Sequence, residues 1–269
     1  DVQRDIISVL SESEMDRAFI VLHGRGGEDG VIQGVLETLD IPYTGSGILS
    51  SSVCMDKLRT KQMWIGAGLR TPPLYITRKQ EPSVPNIAKM GLPVMIKPIH
   101  EGSSIGMSKV DQVSDIQAAW EKAHQFDALV MAEKFIEGNE YTIAILGSQA
   151  LPMIQLKTPH DFYDFDAKYS AEDTEYYCPC GLPEQREKEL QTLALMAFGA
   201  VGATGWGRVD MIVDDDDVPW LLEINTVPGM TDHSLVPMAA RAAGIEFEDL
   251  VLQILSSSFD RAKEGVDEE

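Results

Sequence analysis

The chain has 269 residues and a formal net charge of −21, enough material for one to three domains with well-filled cores. A surface this acidic repels phosphate backbones and anionic lipid, which argues against nucleic acid or membrane partners and demands local cations wherever a phosphate is held. No apolar run reaches transmembrane length, the opening Asp1-Val2-Gln3-Arg4-Asp5 lacks the basic-then-apolar plan of a signal peptide, and a cytoplasmic location is the expectation.

Residues 1–18 read as a polar helix or loop leading into the buried-strand run Ala18-Phe19-Ile20-Val21-Leu22. The glycine-rich His23-Gly24-Arg25-Gly26-Gly27-Glu28-Asp29-Gly30 follows, then the periodic Val31, Gln33-Gly34-Val35-Leu36 and Leu39. This is a strand-loop-helix unit of the kind where ligands sit, although it does not match G-x-G-x-x-G. Taken alone, His23 reads equally as a ligand group or as a loop histidine capping a turn. Residues 41–47 form a short strand and loop. Residues 51–66 are helical in composition and carry Met55-Asp56-Lys57, with Gly66 and Gly68 as stops. Thr71-Pro72-Pro73 is a rigid connector to Leu74-Tyr75-Ile76, and residues 81–85 form a loop before a short helix. The strand expected at 91–98 ends in Lys97.

The loop Ile99-His100-Glu101-Gly102-Ser103-Ser104-Ile105-Gly106-Met107 is small and polar. Its free backbone N–H groups could wrap phosphate oxygens with Lys97 adding charge, and a plain glycine hairpin fits it too. Ser114-Asp115-Ile116-Gln117 has the spacing of a capping box for a helix through about Gln125. Strands are expected at 128–132, continuing through Glu133 to Glu140, then at 141–146 and 151–154. Phe162-Tyr163-Asp164-Phe165-Asp166-Ala167-Lys168-Tyr169 alternates aromatics with acids without a regular period, so a lid and an aromatic mini-core both fit. Amphipathic helices are expected at 184–201 and 234–243, a closing segment at 247–257 and a frayed tail over 260–269. Cys54, Cys178 and Cys180 are too few and too irregular for a disulfide framework, and Cys178-Pro179-Cys180 is not C-x-x-C, so reduced, partly buried thiols are expected.

Two strands joined by an acidic turn carry the strongest chemical signal: Gly207-Arg208-Val209-Asp210-Met211-Ile212-Val213, then Asp214 to Asp217, then Val218-Pro219-Trp220-Leu221-Leu222-Glu223-Ile224-Asn225. Alternation puts Arg208 with Asp210 on one face and Glu223 with Asn225 on one face of the partner. A turn within 214–218 can set Asp210 opposite Glu223, about 5 Å away. Two carboxylates and an amide oxygen, with no histidine or cysteine, suit Mg²⁺, which fills its shell with water and substrate phosphates. A solvated edge hairpin is the alternative. Against it stand the apolar Leu221-Leu222 before Glu223 and the Pro228-Gly229 pair that fixes a tight backbone beside the cluster.

Together the motifs resemble the ATP-grasp superfamily and, within it, the D-alanine:D-alanine ligase family. The resemblance runs from about Phe19 to Ser257 through His23 to Gly30, Met55-Asp56-Lys57, Glu101 to Gly106, Phe162 to Tyr169, Gly205 to Asp210 and Glu223 to Thr231. It implies an α/β and α+β chain in three domains with ATP clamped between two sheets: 1–48, the remainder of a substrate-binding α/β domain; 49–132, a central lobe; 133–258, a lobe with metal site and lid; and 259–269, a tail. It implies that Lys57 and Lys97 hold ATP phosphates, with Ser104 in the same loop. Glu133, Lys134, Phe135 and Ile136 edge the adenine, and Glu140 meets the ribose. Asp210, Glu223 and Asn225 bind two Mg²⁺, for which Mn²⁺ substitutes, and Lys168 reaches the γ-phosphate.

The chemistry implied is phosphorylation of one D-alanine carboxylate and capture of the acyl phosphate by a second D-alanine, for peptidoglycan precursors. Arg208 and the Gly229 N–H would stabilise the oxyanion. Ser103 and Tyr169 link loop to lid, Ser234 and Leu235 lie near the second D-alanine, and His23 lies near the first substrate's carboxylate. A homodimer is the family's usual assembly. The family also begins with a further strand and a glutamate-bearing loop that nothing before Phe19 matches, so the first-substrate subsite is expected to be incomplete. Rival readings are a D-alanine:D-lactate ligase, which Tyr169 disfavours, and a nucleotide-binding fragment without turnover.

Overall fold

The structure is a computed structural model that describes residues 5–77, 83–102, 104–157 and 174–264. Ser103, Lys168, Tyr169 and the whole expected lid over 162–169 lie outside the described residues.

The site is framed by two antiparallel sheets. The first has the order β1 (Leu74–Thr77), β4 (Val130–Lys134), β2 (Val94–Pro98), β3 (Ser108–Val110). Period-2 alternation divides it cleanly. Val94, Ile96, Val130 and Ala132 point into a core shared with α5 (Val84–Lys89) and α6 (Ile116–His124), filled by Ile87, Ile116 and Trp120. Met95, Lys97 and Glu133 face the other way, into a cleft. Met95 pairs with Glu133 and Lys97 with Met131, which makes Lys97 and Glu133 diagonal neighbours on the cleft face.

The second sheet runs β10 (Pro219–Asn225), β9 (Trp206–Asp214), β5 (Gly138–Leu146), β7 (Ile154–Lys157), β8 (Glu175–Tyr177), with β6 (Gln149–Ala150) paired to β5. One face is covered by α7 (Glu184–Ala200), whose Leu190, Ala194, Ala197 and Phe198 meet Val209, Met211 and Val213. A further core joins α2 (Val31–Thr38), α8 (Leu235–Ala242) and α9 (Phe247–Glu264) to the sheet around Trp206 and Leu250. α1 (Ile6–Ser11) lies at its margin through Leu10.

Several expectations are corrected. The strand at 18–22 is reduced to one parallel bridge, Ala18 to Tyr43, because the next amide, Ile20 N–H, is captured by the Thr44 hydroxyl at 3.1 Å instead of a ladder carbonyl. The single helix over 51–66 is two, α3 (Ile48–Met55) and α4 (Lys57–Gly66). Asp56 breaks it with extended backbone and caps the second piece, accepting from Arg59 N–H at 2.9 Å. The capping box does not form: Ser114 Oγ donates to Asp115, Gln117 reaches Glu121, and a 3₁₀ turn over Val113–Asp115 leads into α6. The strand at 151–154 starts only at Ile154, past Pro152, which has no N–H to give a ladder. The run expected to continue from 128 through Glu140 is divided, β4 ending at Lys134 and β5 starting at Gly138, and α9 continues to Glu264 where a tail was expected.

Candidate active site

The acidic turn builds itself. The Asp214 carboxylate accepts from the N–H groups of Asp216 and Val218 and from Trp220 Nε1, and Asp217 takes a left-handed φ of 60°, tolerable for Asp. This turn pairs Val213 with Pro219 and Met211 with Leu221. Continued without a break, that register would set Glu223 opposite Val209 and turn its carboxylate into the core. A β-bulge between Leu221 and Glu223 adds one residue to β10 and resets the pairing to Glu223 with Asp210 and Asn225 with Arg208. Leu221 and Ile224, three apart, therefore both reach the core, while Leu222 and Glu223 line the cleft.

Asp210 is buried and fully engaged. Arg208 donates to both of its oxygens, Nε to Oδ1 at 2.8 Å and Nη2 to Oδ2 at 2.9 Å, Thr142 Oγ1 donates to Oδ1 at 2.6 Å, and Asn225 Nδ2 to Oδ2 at 3.0 Å. Those four bonds occupy the roughly four lone-pair positions of a carboxylate. Glu223 is held differently, with Lys57 Nζ 3.2 Å from Oε2. The same Nζ donates to the Glu101 carbonyl at 2.8 Å, and Lys57 N–H to the Ile99 carbonyl at 3.3 Å, so the first residue of α4 pins the glycine-rich loop. His100 adds a third tie: Nδ1 lies 2.7 Å from Asp127 and Nε2 3.1 Å from the capping Asp56. Ser104 in this loop has φ 58°, a conformation rare outside glycine and typical of strained ligand loops.

The cleft between the sheets encloses about 850 Å³, open solvent included, and is lined by Lys57, Lys97, Ser104, Glu133, Lys134, Phe135, Ile136, Glu140, Asp210 and Glu223 among others. Every described residue expected around ATP is brought together here. Several of these side chains have partners within the protein as well. Lys134 Nζ donates to the Gly91 and Leu92 carbonyls, and the buried Glu133 carboxylate sits between Lys61, at 2.5 Å, and Lys97. Burial alone would raise the Glu133 pKa, but the two ammoniums overcome it and hold it low. Lys109 lies 4.8 Å over the Phe135 ring.

A second, wider cleft of about 1970 Å³ adjoins the first, sharing Lys57, Glu101 and Glu223, and is lined by His23, Glu28, Arg208, Asn225, Gly229, Ser234 and Leu235. Gly229 approaches Ser234 closely: a Cβ there would lie 2.7 Å from Ser234 Oγ, which accepts from Thr231 N–H at 2.9 Å and would have to move. Burial pushes the Glu28 carboxyl above its usual range, against the Gly24 N–H and the positive pull of His23 and Lys57. Sequence reasoning missed Glu28, Glu101 and Lys61 as site residues. Glu28 and Glu101 lay inside motifs already singled out.

Two family models match the chain, the D-ala D-ala ligase N-terminus over residues 3–46 and the D-ala D-ala ligase C-terminus over residues 64–256. The D-alanine:D-alanine ligase of Nitrosococcus oceani is 58% identical over 262 residues, covering 97% of this chain and 83% of its own length. The chain belongs to the D-alanine:D-alanine ligase family. The N-terminal match starts ahead of Phe19, where the sequence resemblance was read to begin. Among solved structures, the Bacillus anthracis D-alanine:D-alanine ligase complexed with ATP superposes with a TM-score of 0.85 at 33% identity, covering 97% of this chain and 84% of that one. The VanG D-Ala:D-Ser ligase of Enterococcus faecalis gives 0.84 at 32% identity, covering 91% and 74%. Both sheets and the cleft between them are thus the ATP-grasp architecture of the ligase family. Among the described residues no helix is long and apolar enough to cross a membrane, and no group of three His, Cys, Asp or Glu side chains is placed to hold a metal.

Proposed function

We propose that the two adjoining clefts carry out ATP-dependent ligation of two D-alanines to D-alanyl-D-alanine for peptidoglycan precursors. The observation that carries the reading is the paired Asp210 and Glu223, facing a cleft that also receives Lys57 and Lys97 from the opposite side. On this reading ATP lies in the first cleft, its phosphates toward Lys57, Lys97 and the loop at Ser104, its adenine toward residues 133–136 and its ribose toward Glu140. The substrates lie in the second cleft, the first carboxylate toward His23 and the second D-alanine toward Ser234 and Leu235.

The donor set fits Mg²⁺, with Mn²⁺ able to substitute: Asp210, Glu223 and Asn225 offer hard oxygen ligands and leave positions for water and phosphate. When bound, the metal neutralises charge on the transferring phosphoryl group. Because Asp210 already accepts four hydrogen bonds, it can serve as a ligand only if one donor yields. Arg208 and Gly229 line the second cleft, which supports a role for the Arg208 guanidinium and the Gly229 N–H in stabilising the oxyanion that forms as the amine attacks the acyl phosphate. Ser103, Lys168 and Tyr169 complete the reading as loop-to-lid link and γ-phosphate contact. A homodimer is the assembly expected from the family resemblance, and a cytoplasmic location fits a supply of ATP. The test is ADP release with ATP, Mg²⁺ and D-alanine, with the dipeptide identified by mass. ATP binding without D-alanine-dependent ADP release would reject ligation, and a mixed product with D-lactate at equal rate would favour the depsipeptide alternative.

A further inference from the structure

Lys61 belongs to none of the roles above, yet its side chain is completely buried, on the same stripe of α4 as Leu58 and Trp64. A leucine or methionine would fill that stripe at less desolvation cost, so an ammonium here marks a task that packing does not supply. Its Nζ lies 2.5 Å from Glu133 Oε1 on the first sheet, donates to Thr71 Oγ1 at 2.7 Å, and reaches the Leu221 carbonyl on the second sheet at 3.4 Å. Thr71 Oγ1 in turn donates to the same carbonyl at 2.9 Å, and Leu221 N–H donates to the Arg70 carbonyl at 3.0 Å. Leu221 is the last residue before the bulge that brings Glu223 to the cleft.

We propose that Lys61 is a positioning residue for the ligase reaction: one buried ammonium joins the two sheets, preserves the positive charge of Lys97 for the nucleotide, and fixes the bulge that presents Glu223. The electrostatic half follows from counting charges. Lys61 and Lys97 share the single carboxylate of Glu133, so the array keeps one net positive charge, and only the Lys97 end opens on the cleft. Without Lys61, Glu133 neutralises Lys97, and ATP phosphates meet no net charge at that wall. The mechanical half follows from Leu221, whose carbonyl is held by Lys61 and Thr71 immediately before the inserted residue.

The proposal rests on ATP occupying the first cleft, and the test separates the two. Steady-state ADP release is measured on the full chain with Mg²⁺ in excess, alongside ATP titration by calorimetry. Wild-type turnover with D-alanine checks the ligase reading itself, whereas the variants check Lys61. K61M is expected to raise both the KM for ATP and its dissociation constant by about 10- to 100-fold, the loss of one charge-assisted contact. Its KM for D-alanine should stay within about twofold. A folded K61M with wild-type ATP affinity overturns the proposal, as does an equal loss toward ATP and D-alanine, which general loosening would give. T71V keeps the charge and removes the shorter of the two bonds to the Leu221 carbonyl, and it serves where K61M does not fold. It is expected to lower kcat about fivefold, the worth of a neutral hydrogen bond, with ATP affinity unchanged. Unchanged kcat in T71V overturns the bulge-fixing half, and weakened ATP binding with unchanged kcat overturns the division of roles.

Discussion

Asp210 and Glu223 are directly paired across the β9–β10 ladder, yet one is locked by its own sheet and the other is held from across the cleft by Lys57 at 3.2 Å. Asp210 therefore serves the fold as well as the cleft, and Glu223 serves the cleft alone. E223Q is expected to reduce Mg²⁺-dependent ADP release to background without moving the thermal midpoint. D210N also disturbs the two-pronged bond with Arg208 and should lower the midpoint. Retained ADP release in E223Q would remove Glu223 from the metal site.

Lys97 is the second cation at the nucleotide wall and the partner of a carboxylate that is itself buried. K97A should weaken ATP by about 10- to 100-fold, corresponding to ~1.5–3 kcal/mol for a charge-assisted contact. It should also destabilise the fold, because Glu133 keeps only Lys61. Calorimetric titration with ATP and thermal unfolding on one preparation check both halves; wild-type affinity would show that Lys97 faces no phosphate.

Gly229 approaches Ser234 too closely for a side chain, so G229A must displace the Ser234 hydroxyl and the turn it anchors. The loss should fall on the second cleft: a higher KM for D-alanine or a lower kcat, with ATP affinity within about twofold. An ATP-specific defect would contradict the division between the clefts.

The metal-site face was legible because carboxylates at alternating positions beside apolar ones have one physical explanation, a two-sided strand. The pairing of Asp210 with Glu223 was expected from the turn alone, whereas the turn produces the opposite register and the bulge restores it. A bulge leaves no period of its own in the sequence. Its trace is that Leu221 and Ile224, three apart, are both core residues. Lys61 was passed over for a related reason. A lysine in a helix reads as solvated, and only its phase with Leu58 and Trp64 places it inside. The split at Asp56 was missed because a composition suited to helix hides a residue that ends one helix by capping the next. What stayed illegible were contacts between segments distant in sequence, such as His100 with Asp56, which depend on packing that local pattern does not encode.

Burial pulls the Lys61 pKa down from 10.5 to about 8, although Glu133 pulls it up. Between those values the unfolded chain keeps a proton that the folded chain has released, so this group's share of stability rises with pH across that window. Nucleotide binding goes the other way. Above about pH 8 Glu133 is left to Lys97 alone, and the KM for ATP is expected to climb. A profile of KM from pH 6.5 to 9.5 should bend in wild type and lose that bend in K61M; identical profiles would assign the bend elsewhere.

Burial pushes the Cys54 thiol up to about 12 and that of Cys178 to about 11, and Cys180 is raised as well. The thiolate is the nucleophile, so almost none is present at pH 8. Iodoacetamide should label the native chain slowly at all three positions and rapidly after unfolding in urea. Fast native labelling of Cys54, which borders the second cleft, would mean that the cleft opens further than the packing allows.

The bulge in β10 has a consequence for the gene as well as for the fold. Because Leu222 is the surplus residue, loss of its codon would leave an unbroken ladder in which Glu223 still meets Asp210 and Asn225 still meets Arg208, whereas loss of the codon for Ile224 would turn Asn225 toward the core. A missense change at Leu222 alters only the lining of a cleft wall. β10 should therefore tolerate a lost residue at Leu222 far better than at Ile224, and a deletion scan across residues 219–225 should show an intolerance that begins past the bulge.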